Sequence, residues 1–174
     1  PAAAKGTTQR FSVSGTFTDG TIQDVTGSAD WSVMDLSGSG VASIDGTGLA
    51  LAESVGQARV SAEYLGQSVQ TTLTVTPAVV VALAISPTAP AIAKGTSQTF
   101  VATAQLSDGS SQNVSATAAW TAADVMGSGV ASVDAAGVAK GNAVGTANIA
   151  CAYQGFTATT TLTVKPAALV TIAI

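Results

Sequence analysis

A repeat of fixed period constrains this chain more than any other feature. Trp31 recurs as Trp120, Asp19-Gly20 as Asp108-Gly109, and Gly38-Ser39-Gly40-Val41-Ala42-Ser43 as Gly127-Ser128-Gly129-Val130-Ala131-Ser132. Tyr64 recurs as Tyr153, and Thr71-Thr72-Leu73-Thr74-Val75 as Thr160-Thr161-Leu162-Thr163-Val164, every pair 89 residues apart. An offset that never slips means that each copy is one folding unit whose loops all keep their length. In this frame Pro1 corresponds to Pro90 and Ile174 to Ile85. The first copy therefore lacks a counterpart of Val81 to Pro87, and the last residues read as the opening of a third copy. The expected division is residues 1–77, residues 78–166, and a final segment 167–174 that begins a following repeat or serves as a donor strand.

The pattern inside one copy is that of strands. Val80 to Ile85 is an apolar, β-branched run stopped by Pro87 and Pro90, as suits a first strand before a kink. Thr99 to Leu106 alternates and places Phe100, Ala102, Ala104 and Leu106 on one face. Asp108-Gly109 is a tight-turn pair. Gly145 to Tyr153 and Phe156 to Val164 form a hairpin across Gln154-Gly155, its second arm apolar on one side and threonine-covered on the other. About seven short strands with frequent turn signals, and no amphipathic helix, predict an all-β chain of two tandem immunoglobulin-like β-sandwiches, the first lacking its own N-terminal strand. The expected core is Phe11, Trp31, Tyr64 and Leu73 in one copy and Phe100, Trp120, Tyr153 and Leu162 in the other.

The residues that carry this pattern resemble a known family. The series Ile85-Ser86-Pro87, Lys94-Gly95, Phe100, Asp108-Gly109, Trp120, Gly129-Val130-Ala131, Gly137, Gly145-Thr146-Ala147 and Leu162-Thr163-Val164 is similar to the bacterial immunoglobulin-like domain of group 2. Such domains occur in tandem in intimin-like and invasin-like adhesins, other large surface proteins and some phage virion proteins. The resemblance implies an extracellular or cell-surface module. It carries no catalytic or binding residue across, because the shared positions are core and turn residues.

Composition narrows the chemistry. Charged residues make up 9% of the chain and the net charge is −4, so no basic field exists to attract phosphate backbones, and nucleic-acid binding is not expected. The longest apolar run, Ala78 to Ile85, is far shorter than a membrane-spanning helix requires, so no membrane insertion is expected. The first residues lack the charged start and apolar centre of a signal peptide, so any export signal is expected to have been removed or to lie outside this segment. The absence of histidine excludes Ser-His-Asp and Cys-His catalysis, and the one cysteine, Cys151, excludes an intrachain disulfide. With no phosphate-binding glycine loop either, the chain is expected to have no enzymatic activity and no cofactor.

The remaining candidates for chemistry are oxygen ligands and sugar acceptors. Asp19, Asp24 and Asp45 are weak calcium candidates, since a hard cation binds clustered oxygens. Their counterparts Asp108, Asn113 and Asp134 lose charge at one position, and the spacing fits no EF-hand loop. The simpler expectation is that Asp19, Asp108, Asp45 and Asp134 serve turns and that the other acids are solvated. Asn113-Val114-Ser115 fits the N-glycosylation acceptor pattern.

Three functions are consistent with these features. The leading expectation is a structural repeat of a bacterial surface or extracellular fibre, its partners being copies of itself or adjacent repeats of the same chain. Head-to-tail joining could use Val170, Ile172 and Ile174 as a strand added to the open edge of the first domain. The alternatives are an adhesin module that grips a host receptor or glycan through its loops, and a phage virion decoration domain.

Overall fold

The structure, a computed structural model, describes residues 1–167 and 169–171. Among the described residues it is all-β apart from one 3-10 turn at Thr26–Ser28, and it comprises two compact units, the first Pro1–Val79 together with Ser107–Gly109 and the second beginning at Val80.

Unit 1 contains β1 (Ala2–Ala4), β2 (Thr8–Arg10), β3 (Ser14–Thr16), β4 (Ile22–Asp24), β5 (Asp30–Ser37), β6 (Ala42–Ile44), β7 (Leu49–Ala52), β8 (Gly56–Tyr64) and β9 (Gln67–Thr76). One sheet has the order β1-β9-β8-β5, with β1 parallel to β9 and the other pairs antiparallel. The opposing layer is built from β2-β7-β6 and the two-stranded pair β3-β4.

Unit 2 repeats this arrangement with one strand more. Its elements are β10 (Val80–Ser86), β11 (Ala91–Ala93), β12 (Ser97–Thr99), β13 (Val101–Leu106), β14 (Ser111–Asn113), β15 (Ala119–Met126), β16 (Ala131–Val133), β17 (Val138–Gly141), β18 (Gly145–Tyr153) and β19 (Phe156–Lys165). The sheet β11-β19-β18-β15 opposes a layer made of β12-β17-β16 and β10-β13-β14. A three-stranded antiparallel sheet with a parallel edge strand, set against a layer in which β13 pairs with β10 and β14 while the preceding β12 pairs with β17, fits the strand order of an immunoglobulin-like sandwich.

The sequence dictates these elements directly. In β19 Leu162 and Val164 are fully buried and Thr160 is nearly so, while Thr157, Thr159 and Thr161 face solvent, the period of two expected of a strand covered on one side. Each long hairpin closes on a pair with positive φ at both residues, Leu65-Gly66 (50° and 77°) and Gln154-Gly155 (47° and 84°). These are type I′ turns, whose twist matches that of the strands they join. Both cores are small and mostly aliphatic, with Val41, Val60, Leu73 and Val75 in unit 1 and Val130, Ile149, Leu162 and Val164 beside Phe100 in unit 2. Each such side chain contributes about 1.5–3 kcal/mol by leaving water.

Two of the expected core aromatics hold that position less deeply than their spacing predicts. Trp31 and Trp120 are half-buried because each indole N–H must reach a backbone carbonyl, that of Thr26 and of Ser115 respectively, both at 2.9 Å. Phe100 is completely buried, whereas Phe11 is only half-buried. Tyr153 packs on the unit 2 core, but Tyr64 lies outside the packed cluster of unit 1 and lines an open groove instead.

Candidate functional site

The difference between Phe11 and Phe100 traces to one strand. In unit 2, β10 runs antiparallel to β13, with Leu83 opposite Ala104 and Ile85 opposite Ala102. It also packs across β18 and β19. Val80, Leu83 and Ile85 thereby close the side of the sandwich, and Phe100, Ala102 and Ala104 become fully buried. In unit 1 the counterpart of β13 is β3, which pairs with β4 on one side and has no strand on the other among the described residues. Val13 and Gly15, which stand where Ala102 and Ala104 stand in unit 2, are consequently half-buried.

The uncovered space is a groove of about 400 Å³ walled by β3, the end of β8 and the start of β9. Gly15, Phe17, Ala62, Tyr64 and Val69 are among the residues that line it. A smaller depression of about 140 Å³ continues it along Phe11, Trp31, Val60 and Thr71. Gly15 deepens the groove where unit 2 has a methyl group, and Phe17 takes the place of Leu106. Among the described residues the groove is an apolar trough bordered by the edge of β3 that faces away from β4.

The acidic candidates sit in separate turns. Asp19 accepts hydrogen bonds from the Thr21 amide (2.9 Å) and hydroxyl (2.7 Å), and Asp24 accepts one from the Thr26 amide (2.9 Å). Asp45 accepts from the Thr47 amide and hydroxyl and from the Leu49 amide, at 2.7–3.0 Å. The threonine hydroxyl in each case, followed by the backbone donors, holds the carboxyl below its ordinary value. Among the described residues no three side chains of His, Cys, Asp or Glu converge as a metal ion would require. The expectation that the other acids are merely solvated needs correcting for Asp24, which caps its turn, and for Asp35 and Asp124. Asp35 bonds the amides of Gly40 and Val41 (2.7 and 3.0 Å), and Asp124 those of Gly129 and Val130 (2.6 and 2.9 Å). The signal was present in the sequence, since an Asp stands five residues before the second glycine of Gly-Ser-Gly in both copies.

The glycosylation pattern has a structural account as well. Asn113 accepts a hydrogen bond from the Ser115 amide at 3.0 Å, and the Ser115 hydroxyl accepts one from the Ala102 amide at 2.9 Å. Asp24 and Thr26 make the same two bonds in unit 1, to the Thr26 and Val13 amides. The tripeptide thus serves as the turn lock that ties β14 to β13. Cys151 is 1% exposed, and burial pushes its thiol up. Of the residues named for strand exchange, Val170 is 94% exposed, while Ile172 and Ile174 lie outside the described residues.

No helix among the described residues is long and apolar enough to cross a membrane. No family model matches the chain. Over 172 residues it is 39% identical to ice-binding protein 1 of Shewanella frigidimarina, an alignment that covers 99% of this chain and 19% of the relative, so the chain spans about a fifth of that protein's length. Among solved structures, domains 1–6 of the surface layer protein SbsC align with 88% of this chain and 22% of their own, at 20% identity and a TM-score of 0.46. The EC22–24 fragment of mouse cadherin-23 aligns with 95% of this chain and 61% of its own length, at 17% identity and a TM-score of 0.41. An I-band fragment of titin aligns with 97% of this chain and 62% of its own, at 8% identity and a TM-score of 0.42. The assignment of tandem immunoglobulin-like sandwiches rests on the strand order and register described above.

Proposed function

We propose that this chain is a structural repeat of a bacterial surface or extracellular fibre, a sandwich array that joins head to tail with copies of itself or with adjacent repeats. The observation that carries this reading is the repeat itself, realised twice with one strand order and one set of turn locks. Only Pro77, Ala78 and Val79 separate β9 from β10. A connector of three residues, one of them proline, leaves little conformational freedom, which suits a load-bearing array better than a tethered binding head. The side chains that repeat are core and turn residues, and the surface is largely threonine, serine and alanine, so the recurring chemistry is that of a scaffold.

The relative from Shewanella frigidimarina supports the reading only as a long protein of which such an array forms a small part. Electron microscopy of the native assembly tests it. The expected result is fibres with a regular axial period set by the sandwich repeat. A glycan or receptor array that instead captured the isolated chain at low micromolar affinity, with no fibre in the native preparation, would favour an adhesin module.

A further inference from the structure

We propose that the outward face of the sheet β11-β19-β18-β15 in unit 2 is a lateral contact surface and that its occupant is the same face of a second copy of this chain. The inference goes beyond head-to-tail joining and is separable from it, since an array could form a single rod with no lateral contact.

The two units differ in surface at equivalent places of one sheet. In unit 1 the outward positions of β5, β8 and β9 include Asp30, Arg59 and Glu63, all exposed, with Asp30 directly opposite Glu63 in the register. One period of 89 residues further on, these places hold Ala119, Asn148 and Ala152. The long side chains Met34, Gln57 and Gln70 give way in the same manner to Ala123, Thr146 and Thr159. Over residues 119–123, 146–152 and 157–163 no outward position carries a charge or a side chain longer than that of asparagine. The core beneath is unchanged in kind, Leu162 and Val164 standing where unit 1 has Leu73 and Val75. The replacement is therefore confined to the face that meets solvent.

A face of this kind suits its own copy. Two identical faces brought together about a twofold axis place like against like, which carboxylates at Asp30 and Glu63 would oppose and which Ala119 and Ala152 permit. A threonine hydroxyl donates one hydrogen bond and accepts others, so a face of threonines complements itself where a face of carboxylates cannot. One rank of the face runs Thr121, Ala150, Thr159 across β15, β18 and β19, the two threonines exposed and the alanine between them short enough to let a second sheet approach. With strands about 4.8 Å apart and outward residues about 6.8 Å apart along each, three strands over four ranks present about 400 Å². That is half of the roughly 800 Å² per partner of a stable complex. A single pair of faces should accordingly associate weakly, and the contact gains strength where repeats of two arrays meet in series.

Nuclear magnetic resonance of the full chain at increasing concentration reads both the contact and its place. Between dilute and about millimolar solution, amide shifts should change along β15, β18 and β19 and stay constant along β5, β8 and β9. Thr159→Glu and Gln70→Glu then put the same charge at equivalent, exposed positions of the two units. The first should weaken self-association about tenfold or more, because it sets like charges against each other in the contact, and the second should leave it unchanged. Both variants should keep the dilute-solution spectrum of the folded chain. No dependence on concentration, shifts confined to the strands of unit 1, or equal losses from the two glutamates would overturn the proposal. Microscopy of native fibres decides head-to-tail joining independently, since a rod without lateral contacts would still show its axial period.

Discussion

Gly137 lies so close beneath Trp120 that a Cβ built on it would stand 2.8 Å from the indole Cζ2 and 2.8 Å from the carbonyl oxygen of Phe100. Gly48 stands in the same relation to Trp31 and Phe11, at 3.0 and 2.6 Å. Both glycines have positive φ, 81° and 76°. Gly137→Ala must therefore adopt a left-handed conformation and also push backbone or indole aside, at a combined cost of about 2–4 kcal/mol. Chemical denaturation followed by tryptophan fluorescence checks this, and Gly109→Ala supplies the contrast. At Gly109 φ is also positive but no atom lies within 4 Å of the added methyl, so only the backbone strain of about 1–2 kcal/mol is expected.

Unit 1 should lose stability in acid through its turn carboxylates. Asp19, Asp24 and Asp45 are held below the ordinary value of 3.8 by hydrogen bonds that the folded chain supplies, foremost from the hydroxyls of Thr21, Thr26 and Thr47. A carboxyl whose folded value is depressed adds stability in full above its unfolded value, and that addition disappears as pH falls below it through the folded value. The expected behaviour is a melting temperature for unit 1 that is flat near neutrality and declines below about pH 4. In a Trp120→Phe chain, Trp31 reports unit 1 alone. The triple variant Asp19→Asn, Asp24→Asn, Asp45→Asn should melt lower at pH 7 and show a shallower decline in acid; an unchanged acid limb would contradict the assignment.

Much of this architecture was legible in the residues, and the exceptions have physical causes. The period, the strand runs and the hairpin at Gln154-Gly155 follow from alternation and from turn chemistry, both local properties. The immersion of Phe100 but not Phe11 was not legible at those positions, since both sit in the same alternating pattern; it depends on whether a distant strand, β10, lies alongside. The bulge that turns Val80 rather than Val81 inward is likewise a property of the pairing with β13 and leaves no mark on an unbroken apolar run. Of the candidate site, the open edge could be inferred from the frame of the repeat, whereas the contributions of Phe17, Tyr64 and Val69 to one groove required the sheets to be folded together.

Cys151 should behave as a core residue. It is 1% exposed and its thiol is raised by burial, so little thiolate exists at neutral pH to attack an electrophile. A maleimide or disulfide reagent should leave the native chain unmodified over a period in which the denatured chain reacts completely. The repeat supplies the replacement to use: Ala62 occupies the same place in unit 1, 4% exposed. Cys151→Ala removes one sulfur atom and should cost about 1 kcal/mol, leaving the fold intact.

Hydrogen exchange distinguishes the two copies where they differ most. In unit 2, β13 is hydrogen-bonded to β10 on one edge and to β14 on the other, and Ala102 and Ala104 are fully buried. Residues 13–17 of unit 1 share the sequence frame but, among the described residues, pair only with β4 and border the groove. Exchange reports the free energy of local opening, which rises with the number of bonded neighbours and with the apolar area that opening exposes. Deuterium uptake over residues 12–17 should therefore exceed that over residues 101–106 by about tenfold or more, equivalent to about 1.4 kcal/mol of opening free energy. Phe17→Ala should widen the difference, because it strips the groove wall without touching β13. Equal protection of the two segments in this chain would mean that pairing with a neighbour of the β10 type does not govern the local stability of this layer.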